Sequence, residues 1–230
     1  PVLGELDGGA HQLAGMLLAD APILFLPLDD VSGSSAAALS GLNGSYAGGP
    51  TLGVTGPAIL SNPAISTNGS TAYVLTGAVT GLGPTQPQTI EFWMKNNSTI
   101  STGSGFFMHA RSGGNAGTAF GGVSGSLTNE VVSYFNGNEG SGDATGWTGF
   151  TIPAGWHHHV LTYSGSQNGW TYYLDGVATG TRTSSSGGSF GFTDGDQHYL
   201  SRDNSGTFVA LAGLAAYAIY DSALSATQIA

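Results

Sequence analysis

The chain has 230 residues, with fourteen acidic side chains against four basic ones and a formal net charge of −10. Four cations cannot build the basic stripe that neutralises phosphates, so nucleic acid and anionic lipid surfaces are excluded as principal partners. Cysteine is absent, which excludes disulfides and thiol chemistry, while 39 glycines and only 8% charged residues describe many short strands joined by turns.

No apolar run approaches the roughly 18 residues that a membrane span needs, so no membrane insertion is expected. The start lacks a basic segment followed by an apolar core, and Pro1 fits exposure by removal of an initiator methionine better than a signal-peptidase cut. The expectation is cytoplasmic synthesis of the mature form. Residues 1–9 show no hydrophobic period and read as an extended arm of the kind that docks on neighbours. Leu13, Met16 and Leu17 then fall at i, i+3 and i+4, which predicts a short amphipathic helix ending before Pro22. The division predicted is an arm with its helix over 1–21 and one domain over 22–230.

Turns at Asn43-Gly44 and Gly48-Gly49 frame a short strand at 45–47, and Asn68-Gly69 launches another at 72–75. The strand at 90–95 places Phe92 and Met94 on one face and Glu91, Trp93 and Lys95 on the other. That second face is mixed in character and reads either as a solvated sheet surface or as part of a shallow binding face. Strands follow at 106–111 and 130–135, separated by a glycine-rich segment, 113–125, that should hold a hairpin. The loop 137–147 is unusual in collecting Asn138, Glu139, Asp143 and Trp147.

The stretch 155–177 organises the second half. Residues 156–163 alternate as a half-buried strand, 164–169 form a polar loop, and 170–174 are a second β-rich run. Asp175-Gly176 supplies the positive-φ pair that a two-residue hairpin turn needs. Further strands are predicted at 197–203, 208–210 and 214–220. Ser225-Ala-Thr-Gln228 is a capping-box pattern that starts a short C-terminal helix.

The Trp156-His157-His158 run, Leu161-Thr-Tyr163 and Tyr173-Leu-Asp-Gly176 together resemble the laminin-G-like, concanavalin A-like jelly-roll family. Thr89-Ile-Glu-Phe-Trp-Met-Lys95 is similar to that family's central strand, and Ala216-Tyr-Ala-Ile-Tyr-Asp-Ser-Ala-Leu-Ser225 to its closing segment. The opening from Leu18 to Gly33 resembles, more loosely, that of jelly-roll proteins from bacteriophage virions. The resemblance implies an all-β, two-sheet antiparallel jelly-roll sandwich, flanked here by a short N-terminal and a short C-terminal helix. It also implies a non-enzymatic structural or adhesive component of a phage particle, a decoration, fibre or tail protein that could bind host-surface glycans. Its partners would then be other virion proteins or copies of itself, reached through the arm, and its location the virion. The alternative is a secreted carbohydrate-binding or adhesion module, with a glycoside hydrolase the third reading.

Catalysis in this family needs two carboxylates held across a bond, presented in related glucanases as alternating acids on one strand. No such spacing occurs, so no catalytic residue is assigned. Adjacent histidines on a strand point to opposite faces, so at most His157 and His159 could converge on a metal, with a third ligand from elsewhere, and the reading favoured is ring packing and hydrogen bonding at a sheet edge. Calcium, which many laminin-G-like domains hold with loop oxygens, is disfavoured here. Ala38 stands where the family often has Asp, and Leu214-Ala215-Ala216 where it often has Ile-Asp-Glu. Asp29 and Asp30, Asp194 and Asp196, and Asp203 remain as candidate calcium ligands, each pair also reading as solvated turn chemistry, and no other cofactor is expected. A sugar site needs an aromatic platform edged by amide or carboxylate groups. Trp147 with Asn138, Glu139 and Asp143 satisfies that requirement, as does Trp170 beside its turn, while Trp93 and Trp156 are assigned to packing.

Overall fold

The structure, a computed structural model, describes residues 15, 17–82, 86–96, 106–111, 117–121, 131–134, 144–148, 153–165, 169–179, 181–184, 195, 197–202 and 212–230. In chain order the strands are β1 (Leu24–Leu26), β2 (Ser35–Ala36), β3 (Gly44–Ala47), β4 (Thr51–Thr55), β5 (Pro63–Ser66), β6 (Tyr73–Leu75), β7 (Gln88–Asn96), β8 (Phe106–Arg111) and β9 (Gly117–Gly121). They continue with β10 (Val131–Tyr134), β11 (Ala144–Thr148), β12 (Gly155–Tyr163), β13 (Trp170–Leu174), β14 (Val177–Ala178), β15 (Thr181–Ser184), β16 (Gln197–Leu200) and β17 (Ala212–Tyr220). A helix, α1 (Ala226–Ile229), closes the chain, and the backbone is also helical at 17–19.

These strands form a two-sheet antiparallel jelly-roll sandwich. One sheet has the order β14-β13-β12-β7-β17-β5-β4, with β1 also paired to β17. The other has the order β15-β11-β10-β9-β8-β16-β6-β3-β2. Period-two alternation decides which side chains meet between them. Ile90, Phe92 and Met94 of β7 and Leu161 and Tyr163 of β12 point inward, where they join Leu26, Val74, Tyr172, Leu200 and Tyr217 in the core. Full burial of each such aliphatic side chain contributes about 1.5–3 kcal/mol. The strand interiors at 90–95, 106–111, 156–163 and 170–174 lie within their expected bounds, while the segment 113–125, expected to contain a hairpin, contributes the single strand β9, paired with β8 before it and β10 after it. The predicted strand at 208–210 lies outside the described residues.

The β12 histidines occupy a different environment from the sheet edge that the sequence suggested. β12 is an interior strand, paired along its length to β7 on one side and to β13 on the other. His159 is fully buried, stacked on Phe92 with ring centroids 5.2 Å apart, and its Nδ1 lies 3.0 Å from the Tyr172 hydroxyl.

The outer face of the β12-β7-β17 sheet carries a second apolar cluster that includes Phe25, Val160, Ala218 and Tyr220. Leu17, in the N-terminal helical segment, and Leu224 and Ile229, around α1, roof it over. α1 begins where the capping pattern indicated: the Gln228 side-chain oxygen accepts from the Ser225 N–H at 3.0 Å and from its hydroxyl at 2.8 Å. The Gln228 amide then donates to Asp20 at 2.7 Å, tying the two helical segments together across that face.

Candidate functional site

The functional side chains on this outer face are placed by register. Trp93 stands opposite His158, and Glu91 opposite Val160 on one side and Ala218 on the other. A bulge in β17 between Ala215 and Ala218 then resets the alternation, so that Tyr220 joins the outer face instead of the core. Ala216 sits in the bulge with φ 51, a left-handed conformation costing a β-carbon residue about 1–2 kcal/mol, and its N–H is satisfied by the Pro27 carbonyl at 2.8 Å.

The reset brings three polar groups together. Glu91 is 6% exposed. One of its oxygens accepts from His158 Nε2 at 2.7 Å and the other from the Tyr220 hydroxyl at 2.8 Å. Burial, followed by the charge of Glu91, pushes the Tyr220 phenol far above its ordinary range, so it remains a donor. The His158 ring lies flat on Trp93, with centroids 5.1 Å apart and planes 16° from parallel. Its backbone N–H donates to Asp175 Oδ1 at 2.9 Å, while Asp175 Oδ2 meets His157 Nδ1 at 2.7 Å. Partial burial opposes the charge of Asp175. The hydrogen bonds from His157 and from the His158 N–H outweigh it and hold the carboxyl below the usual range. Asp175 and Gly176 have φ 51 and 80, the pair of left-handed residues that a type I′ hairpin requires.

These groups floor a cleft of about 520 Å³, a size suited to a small ligand. Glu91, Trp93 and His158 form its base, and Asp175 and Gly176 one rim. Leu17, Ala19 and Asp20 wall one side, Ile59 and the residues of α1 the others. The arrangement supplies an aromatic surface with carboxylate and amide groups at its margin. Both Glu91 oxygens are engaged as acceptors, and Asp175 is held ionised by its hydrogen bonds.

Asn138, Glu139 and Asp143 lie outside the described residues. Trp147 is in β11, opposite Val131 and Arg182. Trp170 is a correction: it is 5% exposed, stacked on Tyr163 at 4.7 Å, and belongs to the core between the sheets, so its ring is not a platform for a sugar. Trp93, assigned to packing, does pack against the outer-face cluster, and it also stands half-buried at the base of the cleft. The signal that could have found it was the mixed outward face of β7.

Among the turn acids, Asp29 and Asp30 are engaged by neighbouring donors. Asp30 Oδ2 accepts from the Tyr46 hydroxyl at 2.7 Å and the Ala37 N–H at 3.2 Å, and Asp29 from the Asn62 amide at 2.9 Å. Asp194, Asp196 and Asp203 lie outside the described residues. Ala215 and Ala216 are buried under the helical roof. Among the described residues no three His, Cys, Asp or Glu side chains gather as a metal site, and no helix is long and apolar enough to cross a membrane.

Comparison with solved structures finds this fold in the binding domain of botulinum neurotoxin DC in complex with SialylT. The TM-score is 0.64 at 14% identity, over 92% of this chain and 50% of that one. The same domain in complex with rat synaptotagmin II matches with a TM-score of 0.64 at 15% identity, over 92% and 51%. Trypanosoma rangeli sialidase in complex with the inhibitor DANA matches with a TM-score of 0.57 at 14% identity, over 90% and 32%. The chain thus spans about half the length of the neurotoxin domains and a third of the sialidase, and at such identities the likeness is one of fold. No curated protein matches the sequence. The model of the concanavalin A-like lectin/glucanases superfamily matches residues 68–230, which takes in β7, β12, β17 and α1, and the chain belongs to that superfamily.

Proposed function

We propose that this protein is a non-enzymatic, glycan-binding adhesive component of a bacteriophage particle, a decoration, fibre or tail protein that displays its jelly roll outward from the virion. The observation that carries the glycan reading is the Trp93–His158 stack beside Glu91 at the base of the outer-face cleft. A sugar's apolar face packs on such a ring while its hydroxyls meet the carboxylates and the Gln228 amide at the margin. The virion assignment is supported by the resemblance of residues 18–33 to phage jelly-roll openings, and residues 1–21 serve in this reading as the anchor to neighbouring copies or other virion proteins.

A glycan array identifies the sugar, and Trp93→Ala then lowers affinity for it at least about tenfold, or about 1.4 kcal/mol, by isothermal titration, with the thermal midpoint of the fold changed little. Undiminished binding by the variant would remove the cleft from consideration. Mass analysis of native particles addresses the virion role: a repeating assembly from which the protein is lost on deletion of residues 1–14 supports it. A free monomer that binds polysaccharide supports a secreted carbohydrate-binding module instead.

A further inference from the structure

A second depression lies on the same outer face, one cross-strand row away from the cleft. The register aligns Trp156 of β12 with Lys95 of β7, Lys95 with Gly213 of β17, Gly213 with Ser66 of β5, and Ser66 with Thr51 of β4. Five strands therefore contribute one row, and its centre has no side chain. A β-carbon built on Gly213 would lie 2.9 Å from Lys95 Cβ and 2.9 Å from Trp156 Cη2, so the glycine is what lets the indole fold across the sheet. The hollow that results, about 300 Å³, is bounded by Trp156 and Lys95 on one side and by Val54, Thr55 and Ser66 on the other.

Charge gives this hollow its chemistry. Of the chain's four cations, Lys95 alone lies in the strands of this sheet. Arg111 and Arg182 belong to β8 and β15 of the opposite sheet, and Arg202 follows β16 with its guanidinium 4.3 Å above the Tyr73 ring. Lys95 is exposed, and no carboxylate among the described residues lies within ion-pairing distance of its ammonium. In a protein of net charge −10, an unpaired cation beside an indole and two hydroxyls is selective. It attracts one carboxylate, and the surrounding negative field rejects polyanions that cannot place a charge there.

We propose that the Gly213 hollow is a subsite for a carboxylated sugar unit, a hexuronate, whose carboxylate pairs with Lys95, whose ring packs on Trp156 and whose hydroxyls reach Thr55 and Ser66. The proposal rests on the reading of the outer face as glycan-binding. Glu91, Trp93 and Lys95 are successive outward residues of β7, spaced over about 13 Å at ~3.3 Å per residue. A chain that places one unit in the cleft can therefore place an acidic unit over Lys95.

The test is an NMR titration of the whole chain with D-glucuronate and, separately, with D-glucose, following the indole N–H resonances of Trp156 and Trp93. Glucuronate shifts Trp156 and glucose does not. Lys95→Gln weakens the glucuronate response about tenfold, Lys95→Arg retains it, and raising salt from about 0.05 to about 0.5 M weakens it in the wild type. Lys95 is exposed, so these variants leave the fold intact. A Trp156 resonance that ignores glucuronate, or that responds equally in Lys95→Gln, overturns the subsite. Failure of the cleft reading has a separate signature: Trp156 responds to glucuronate, while Trp93 stays silent to every sugar and Trp93→Ala changes nothing.

Discussion

Replacing Glu91 with Ala lowers the unfolding free energy by about 3–5 kcal/mol in urea denaturation at neutral pH, more than any other polar substitution on the outer face. The magnitude follows from what is left behind. The Tyr220 hydroxyl, fully buried, loses its acceptor at 2.8 Å, and His158 Nε2, largely buried at the base of the cleft, loses its own at 2.7 Å. Each orphaned buried group costs about 1–3 kcal/mol, and the deleted methylene and carboxylate leave a void beside Tyr220. Glu91→Gln keeps the volume and one acceptor, so its cost is about 1–2 kcal/mol. Tyr220→Phe falls in the same range, and combining the two gives less than the sum because they share one hydrogen bond. A Glu91→Ala loss below about 1 kcal/mol would show that the three groups do not act as a unit.

The cluster also links the fold to the site. β17 must spend a bulge and a left-handed alanine to bring Tyr220 outward, and the return on that distortion is an oriented carboxylate. Glu91 then holds the imidazole that Trp93 stacks against, so the recognition surface is fixed by groups that a ligand need not touch. In ligand titrations Tyr220→Phe should therefore weaken binding less than Trp93→Ala.

The fold was legible wherever alternation and turn chemistry agreed. β7, β12 and β13 carry strict period-two patterns, and Asp175-Gly176 can hardly be anything but a tight reversal, so their positions follow from local rules. β4 and β5 were not legible, because Leu52-Gly-Val-Thr and Pro63-Ala-Ile-Ser carry glycine and proline, which mark turns in isolation. They are strands because β17 offers β5 a partner and β5 in turn offers one to β4. The β17 bulge was equally hidden. Nothing in Leu214-Ala-Ala-Tyr announces an extra residue, since the Ala216 N–H is taken up by the Pro27 carbonyl, distant in sequence and just past β1.

The site was half legible. Separating Glu91, Trp93 and Lys95 from Phe92 and Met94 needs only the strand period, and that separation names the two outer-face hollows. What periodicity cannot supply is how much of a sheet face the chain's ends will cover. Trp93 would be a buried packing residue if the terminal helices met over it; they meet over Tyr220 and Val160 and leave Trp93 at the base of a cleft. Trp170 failed for the complementary reason. A tryptophan at the lip of a polar loop suggests display, yet its register partner Tyr163 points inward, and the indole follows it into the core to stack there.

Stability should fall as pH is lowered from 7 to 5 by about 2 kcal/mol on account of His159 alone, and this component should vanish in His159→Phe. His159 is fully buried between Phe92 and Tyr172. Burial, with the neighbouring charges of His158 and His157 next and Asp175 opposing them, takes its imidazole from the ordinary 6.5 to about 3. The folded protein therefore keeps this ring neutral where the unfolded chain protonates it. Its contribution is complete above pH 6.5 and is lost progressively as pH falls through the window down to about 3, at up to about 1.4 kcal/mol per pH unit. Asp175 adds a loss of the same sign at lower pH, because its carboxyl is held below the usual range by groups that exist only in the fold. The informative quantity is the difference between wild type and variant, which isolates this ring. Phenylalanine preserves the stack on Phe92 but gives up the contact with the Tyr172 hydroxyl, so His159→Phe is less stable at pH 7 by about 1 kcal/mol and gains on the wild type as the medium is acidified. Parallel stability curves for the two proteins between pH 7 and pH 5 would place the acid sensitivity elsewhere and would mean that this ring accepts a proton inside the folded core.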